Sequence, residues 1–326
     1  MPRAFITGIT GQDGSYLAGL LLEKGYEVHG GLRRGRAPER SPLRHLWENP
    51  SVRERRLFLH EADLTDPAAL AQALNKADPD EVYHLAGQSH VGRSFAIPER
   101  TTELIALATV RLLELLRRRE RPPRLFHASS SEIFGRPAQS PQTETTPVAP
   151  VNPYGCAKAF AHRMVTVYRE AHGLFACNGI LFNHESPRRG EDFVTRKICR
   201  AAAAIARGRQ RELRLGNLDA RRDWGHARDY VRAMWLMLQQ PGADDYVIAT
   251  GETHSVREVV ELAFAEAGLD WRRHVKTDPR FFRPTEPFTL VGDAAKARDR
   301  LGWRPETGFA TLIREMTRAE LRTTAP

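Results

Sequence analysis

Arg3-Ala4-Phe5-Ile6-Thr7-Gly8-Ile9-Thr10-Gly11-Gln12-Asp13-Gly14-Ser15-Tyr16 opens the chain and decides its reading. A short apolar run leads into glycines at every third position, and an amphipathic stretch from Ser15 to Lys24 follows. Glycine at Gly8, Gly11 and Gly14 lets the backbone turn sharply and come close to a pyrophosphate. The helix that starts there offers amide donors and the positive end of its dipole. A glycine loop alone is a weak signal, and a turn without a ligand is the competing reading. Set between a strand and a helix at the start of a βαβ unit, the loop points to a dinucleotide site.

Working outward, short apolar runs alternate with longer amphipathic ones. Strands are predicted near Arg3–Ile6, Glu27–Leu32, Leu57–His60, Glu81–Leu85, Leu125–Ser129 and Ala176–Leu181, with helices near Ser15–Lys24, Ala68–Lys76, Thr101–Arg119 and Tyr154–His172. That alternation specifies an α/β fold, a doubly wound parallel sheet of Rossmann type. After Asn183 the texture changes. Helices near Val194–Arg207, Asp229–Gln239, Val256–Ala267 and Phe309–Glu320 are separated by loops rich in Pro, Gly and Arg, with strand-like pieces at Leu213–Leu215, Tyr246–Ala249 and Thr289–Val291. Residues 1–182 are therefore expected to form the dinucleotide-binding domain and 183–326 a smaller mixed lobe for the substrate, with exchange of chain between them allowed. Thr323–Pro326 reads as a frayed end.

Composition narrows the function. The 326 residues include 41% hydrophobic ones, enough to bury a core. No run approaches the roughly 18 apolar residues needed to span a bilayer, and the N-terminus goes directly into a strand without a leader-like segment. A cytoplasmic protein without membrane contact is expected. Cys156, Cys177 and Cys199 form neither a CxxC pair nor a zinc pattern, so no disulfide framework and no metal site is predicted. The net charge of +9 invites a nucleic-acid reading. However, the arginines are scattered, and the dense runs at Arg33–Arg40 and Arg117–Arg124 lack aromatics to stack bases. A surplus of arginine suits polyphosphate ligands instead, and no nucleic-acid partner is expected.

The second strand selects the cofactor. NAD-specific sheets place an acidic residue after it to grip the ribose hydroxyl. Here it ends in Arg33-Arg34, with nothing acidic competing in sequence, which suits the 2′-phosphate of NADP. Downstream, Asp63-Leu64 and the run Leu85-Ala86-Gly87-Gln88-Ser89 end two further strands, where adenine and ribose contacts belong.

Tyr154 and Lys158 stand one helical turn apart. A lysine ammonium beside a phenol lowers its pKa, so a phenolate can take a proton from a sugar hydroxyl as hydride leaves its carbon. Alone the pair is weak. With the serine-rich strand end Ala128-Ser129-Ser130-Ser131-Glu132 upstream it becomes specific. Ser130 can hydrogen-bond the hydroxyl being oxidised. Glu132 is the distinctive residue: a simple dehydrogenase needs no further base, but eliminating water from a keto sugar needs one beside the carbonyl. The bland alternative makes Glu132 a helix cap or a partner for a nearby arginine.

From Ile6 to Pro305 the chain resembles the GDP-mannose 4,6-dehydratases of the extended short-chain dehydrogenase/reductase group. The stretch that carries most of the likeness is Gly179-Ile180-Leu181-Phe182-Asn183-His184-Glu185-Ser186-Pro187-Arg188-Arg189-Gly190, followed by Phe193-Val194-Thr195-Arg196-Lys197. Arg222-Asp223-Trp224-Gly225, Ile248-Ala249-Thr250-Gly251 and Arg280-Phe281-Phe282-Arg283-Pro284 add to it. The resemblance implies conversion of GDP-mannose to GDP-4-keto-6-deoxymannose, with the hydride taken from C4 returned to C6. Tyr154 would deprotonate the C4 hydroxyl, Glu132 would take the C5 proton, and Lys158 would position the ribose. It further implies that Gly8, Thr10, Gly11, Gln12, Asp13, Gly14, Ser89, His184 and Arg189 belong to the NADP site. Ser89, Glu132, Asn183, Lys197, Arg222 and Arg283 would face the GDP sugar. Ser130 stands where the family usually has threonine, and Arg100, Ile105 and Ala108 also depart from its pattern near the cofactor. A homodimer through the helices at 101–119 and 154–172 is implied, or a homotetramer that uses the Arg33–Arg40 loop. A GDP-manno-heptose substrate, a reductase or epimerase of the same fold, and a non-catalytic nucleotide-binding module remain the alternatives.

Overall fold

The computed structural model describes residues 1–282 and 289–323. Its strands begin with β1 (Arg3–Thr7), β2 (Glu27–Leu32), β3 (Leu57–Glu61), β4 (Glu81–His84), β5 (Arg124–Ser130) and β6 (Ala176–Leu181). They continue with β7 (Asn183–Glu185), β8 (Leu213–Leu215), β9 (Arg221–Arg222), β10 (Trp224–His226), β11 (Asp245–Ile248), β12 (His254–Ser255) and β13 (Val275–Thr277). The helices of the first half are α1 (Gln12–Glu23), α2 (Arg44–Trp47), α3 (Pro67–Ala77), α4 (Val91–Ser94), α5 (Pro98–Thr102), α6 (Ala108–Arg117) and α7 (Pro153–His172). Those of the second are α8 (Val194–Ala206), α9 (Ala227–Leu238), α10 (Val256–Glu266), α11 (Ala295–Leu301) and α12 (Phe309–Arg322).

The main sheet runs β11-β6-β5-β4-β1-β2-β3, and every pairing in it is parallel. Register sets what each face buries. Phe5, Val82, Leu125 and Ala176 lie in one row across β1, β4, β5 and β6, while Ile6, Tyr83, Phe126 and Cys177 form the next row. Side chains alternate faces along a strand. The first row packs on Leu70, Leu74, Leu112, Leu116 and Val165 of α3, α6 and α7. The second packs on Leu17, Leu21, Met234 and Met237 of α1 and α9. Each buried Leu, Ile, Val, Phe or Met among them contributes about 1.5–3 kcal/mol, and Ala176 less.

Strand order reverses between β1 and β4, so the loops after these strands diverge and leave a crevice at their carboxyl ends. A second apolar cluster, apart from the sheet, gathers the later elements into a smaller lobe. There Ile198, Ala202, Leu213, Leu215, Trp224, Val259, Phe264, Leu312 and Ile313 form a separate apolar core from α8, α10, α12, β8 and β10.

Three sequence expectations change. The piece at Tyr246–Ala249 was assigned to the smaller lobe, but as β11 it forms the seventh strand of the main sheet, beside β6. Its neighbour α9 packs against the same sheet. Thr289–Val291 is not a strand; the backbone only bridges Gln142 to Gly292 there. The helix predicted over 101–119 is broken into α5, a π-helical turn at Glu103–Leu107 and α6. Such turns absorb an extra residue and re-aim side chains; this one buries Ile105 and sets it 3.5 Å from where a Cβ on Gly87 would stand. Residues 324–326, most of the expected frayed end, lie outside the described residues, as does Arg283. Among the described residues no helix is long and apolar enough to cross a membrane.

Candidate active site

The crevice is built on glycine. Gly8 has φ +73°, and a Cβ there would stand 2.9 Å from Ala86 Cα, so the loops after β1 and β4 touch backbone to backbone. A Cβ on Gly14 would meet the Gly8 carbonyl oxygen at 2.4 Å. Only glycine permits both contacts. Thr7 ties the two strand ends together, its Oγ1 accepting from the Leu85 and Ala86 amides at 3.1 Å each. Thr10 is half-buried and Gly11 exposed in this turn, and Leu64, after β3, is buried.

Gln12 and Asp13 spend their side chains inside the protein. Gln12 Nε2 donates to the His184 carbonyl at 3.0 Å, and Gln12 Oε1 accepts from Ser186 Oγ at 2.8 Å. Asp13 Oδ2 meets His184 Nε2 at 2.9 Å. Burial alone would raise the Asp13 pKa, but the His184 cation outweighs it and holds the carboxyl below its ordinary range. Burial likewise opposes a charge on His184, yet Asp13 lifts the imidazole above its usual value. His184 also stacks on Tyr230 at 4.5 Å. The glycine loop is thereby clamped to β7.

Arg189 lies beside this clamp. Its guanidinium carbon sits 3.5 Å over the Phe193 ring, and its Nε is 3.1 Å from Glu185 Oε2. That pairing is by charge alone: Nε is buried without a hydrogen-bond acceptor among the described residues. An unsatisfied buried guanidinium nitrogen next to a glycine cradle fits an anionic ligand.

At the outer side of the crevice Arg33 and Arg34 are exposed after β2, and Asp63 feels the positive fields of Arg33 and Arg100. Asp63 Oδ1 also accepts from the Thr65 amide and hydroxyl, at 2.9 and 2.7 Å. The sequence reading found no acid competing for these arginines. The structure corrects it: parallel pairing sets Glu61 beside Leu32, and its carboxylate lies 3.8 Å from Arg34 Nε. Gly87 and Ser89 are exposed after β4.

The chemical residues converge from β5 and α7. Ser130 ends β5; its Oγ accepts from the Glu132 amide at 3.2 Å, and its side chain pulls the Tyr154 pKa down. Asn152 caps α7, Oδ1 accepting from the Gly155 amide at 2.8 Å, and Pro153 occupies the first helical position, which suits a residue without an N–H. A Cβ on Gly155 would fall 2.6 Å from the Glu132 carbonyl oxygen, so the first turn of α7 lies directly on the Glu132 backbone. Glu132 is half-buried, and its Oε2 accepts from Asn152 Nδ2 at 2.8 Å. The sequence reading missed Asn152. An Asn before Pro at a helix start was legible as a cap, but its second contact was not.

One electrostatic expectation is corrected. Lys158 was predicted to lower the Tyr154 pKa, yet burial pushes the phenol up to about 12, with Ser130 pulling it down and the Glu132 carboxylate adding to the rise. Lys158 Nζ instead donates to the Ala128 carbonyl at 2.5 Å and lies 6.0 Å from the Tyr154 ring centre. The same burial lowers Lys158 itself to about 8. Both groups are enclosed by protein, and loss of water is the largest cause of each shift.

The expected sugar-side residues lie in or beside the smaller lobe. Asn183 is half-buried on β7, and Arg222 is buried on β9 with Nη1 donating to the Arg221 carbonyl at 2.6 Å. Lys197 on α8 donates to the Arg214 carbonyl at 3.1 Å and sits 4.1 Å over the exposed Phe281 ring, half-buried, with its pKa lowered by that burial. A separate depression of about 480 Å³ between α3 and α6 lies at the amino ends of the strands and contains none of these residues.

The family profile for GDP-mannose 4,6 dehydratase matches residues 5–316. GDP-mannose 4,6 dehydratase 1 of Arabidopsis thaliana is 52% identical over 323 residues, covering 98% of this chain and 89% of the plant protein. The GDP-mannose 4,6 dehydratase of Homo sapiens is 48% identical over 338 residues, covering 98% of this chain and 91% of the human one. Among solved structures, RMD from Pseudomonas aeruginosa complexed with NADPH superposes with a TM-score of 0.80 at 25% identity, covering 99% of this chain and 100% of that one.

Proposed function

The chain belongs to the GDP-mannose 4,6 dehydratase family, and from that premise we propose that it dehydrates GDP-mannose to GDP-4-keto-6-deoxymannose. The observation that carries this reading is the carboxylate of Glu132, held against the start of the helix that bears Tyr154 and close enough to disfavour its phenolate. A dehydrogenase or epimerase centred on Tyr154 and Lys158 has no need of it.

The crevice fits a nicotinamide dinucleotide, on the evidence of the Gly8–Ala86 approach and the unsatisfied Arg189 nitrogen. The backbone of Gly8, Thr10, Gly11, Gln12, Asp13 and Gly14 would carry the pyrophosphate. Asp63, Leu64, Leu85, Ala86, Gly87 and Ser89 would line the adenosine and ribose, with His184 and Arg189 towards the nicotinamide side. Arg33 and Arg34 favour NADP over NAD, since guanidinium forks match a 2′-phosphate. When bound, the nicotinamide supplies the acceptor for the sugar's C4 hydride and its return to C6.

The protein's own groups move the protons. Tyr154 accepts the C4 hydroxyl proton, and Ser130, whose side chain favours the phenolate, hydrogen-bonds the same sugar hydroxyl. Burial pushes the Tyr154 phenol up to about 12 and keeps it protonated at neutral pH, so forming the phenolate needs positive charge beside it. Lys158, already easily deprotonated at about 8, is the protein's local cation and proton reservoir. Glu132 takes the C5 proton made acidic by the neighbouring carbonyl and supplies a proton to the C6 hydroxyl as it departs. Asn183, Lys197 and Arg222 clamp the GDP moiety, as does Arg283, which lies outside the described residues.

A dimer through α6 and α7 belongs to the same reading, with a tetramer as its extension. Leu107 and Phe160 are 44% and 50% exposed on that surface, a solvent cost that pairing removes. Free thiols at Cys156, Cys177 and Cys199 agree with a reducing cytoplasm.

Purified protein incubated with GDP-mannose and NADP should yield the 4-keto-6-deoxy product with no net change in reduced-nicotinamide absorbance. No consumption of GDP-mannose would defeat the reading, and net reduction would convert it to a dehydrogenase.

A further inference from the structure

We propose that Asn152 is the positioning residue that aims the Glu132 carboxylate at the sugar and couples it to the Tyr154 helix. The inference rests on the dehydratase reading above and adds to it a residue that makes elimination keep pace with oxidation.

The geometry is specific. Asn152 is 5% exposed and uses both ends of one rigid amide. Its Oδ1 accepts from the Gly155 amide at 2.8 Å, which starts α7, and its Nδ2 donates to Glu132 Oε2 at 2.8 Å. The Glu132 backbone is already fixed, by its amide's bond to Ser130 Oγ and by the close approach of Gly155 to its carbonyl. What remains free is the side chain, and Asn152 holds its far end. Among the described residues it is the hydrogen-bond partner of that carboxylate, so Oε1 is left for the substrate.

The elimination needs this aim. The C5–H bond breaks with its electron pair passing into the enolate of the C4 ketone, from which it later forms the C5=C6 bond, and the proton goes to Glu132. The C6–O bond then breaks as that carboxyl returns a proton and water leaves. One oxygen must serve two adjacent carbons in turn, a demand that tolerates little rotation of the side chain. An amide N–H is far too weak an acid to take part, so Asn152 acts only through Glu132.

Two substitutions separate this role from helix capping, because Ser and Asp both cap well. N152S keeps a cap acceptor but ends short of the carboxylate. N152D keeps the shape and the cap but sets a carboxylate against Glu132. Quenched-reaction mass spectrometry reads the step that fails. In N152S, dehydration should slow by roughly 10- to 100-fold while C4 oxidation proceeds, so the oxidised, still hydrated GDP-sugar accumulates. In N152D, the rising limb of the pH–rate profile should move to higher pH, because the neighbouring charge disfavours the ionised base. N152S with wild-type turnover, or with both steps slowed and no oxidised sugar, would overturn the assignment, as would an unmoved N152D profile. Wild-type protein that ignores GDP-mannose would instead bring down the dehydratase reading, and this inference with it.

Discussion

Asp13 in the glycine loop and His184 on β7 form a buried ion pair, Oδ2 to Nε2 at 2.9 Å, that joins the dinucleotide crevice to the first strand leading into the smaller lobe. Each residue moves the other's titration in the direction that keeps both charged, against the burial that opposes them.

Replacing His184 with Ala leaves Asp13 without its cation and removes the stack on Tyr230, and should cost about 3 kcal/mol of stability. The pH dependence follows from the two shifts. His184 is raised, so its share of stability is complete below its ordinary 6.5 and fades as pH rises through its folded value. Asp13 is lowered, so its share is complete above 3.8 and is lost as pH falls through its folded value. The difference in unfolding midpoint between wild type and H184A should therefore be greatest between 3.8 and 6.5 and shrink on either side. A difference that is flat with pH would show that the pair is not ionic.

Tyr154→Phe keeps the buried ring and removes the phenol hydroxyl that would take the proton. Turnover should fall by roughly 10³-fold, while NADP affinity by calorimetry stays within a few-fold. Substantial remaining turnover would take the proton-transfer role away from Tyr154.

Lys158→Met trades function for stability. The folded chain lowers this lysine from 10.5 to about 8, so below pH 8 it bears the full cost of a buried charge, and above 10.5 it bears none. In the protein without ligand, K158M should be more stable at neutral pH by about 1–3 kcal/mol, less what the Ala128 carbonyl loses with its donor. Urea unfolding at about pH 7 and about pH 11 checks this: the gain should vanish at the higher pH. Catalysis should be lost throughout.

Arg33→Asp combined with Arg34→Asp tests cofactor choice. The double variant should weaken NADP binding by roughly 10- to 100-fold and leave NAD binding little changed. Equal loss for both dinucleotides would assign the arginines to loop structure.

Much of this was legible in the chain itself. The glycine loop, the alternation of strand and helix, and the Tyr154–Lys158 spacing are local patterns, and local backbone sterics and side-chain periodicity translate them directly into structure. Even boundaries held where caps are local: Asp66 accepts from the Ala68 and Ala69 amides to start α3, and Asn152 starts α7.

What needed the tertiary structure concerns residues far apart in sequence or properties that depend on enclosure. A four-residue segment such as β11 reads the same at a sheet edge as in a separate lobe, and only its pairing with β6 assigns it. The Asp13–His184 pair spans 171 positions. Lys158 was expected to serve Tyr154 because they share a helix face, but its ammonium found the Ala128 carbonyl, and Tyr154 titrates high. Residue order and spacing determine which groups can meet, whereas the sign of a pKa shift depends on how much water the assembled protein removes from each of them.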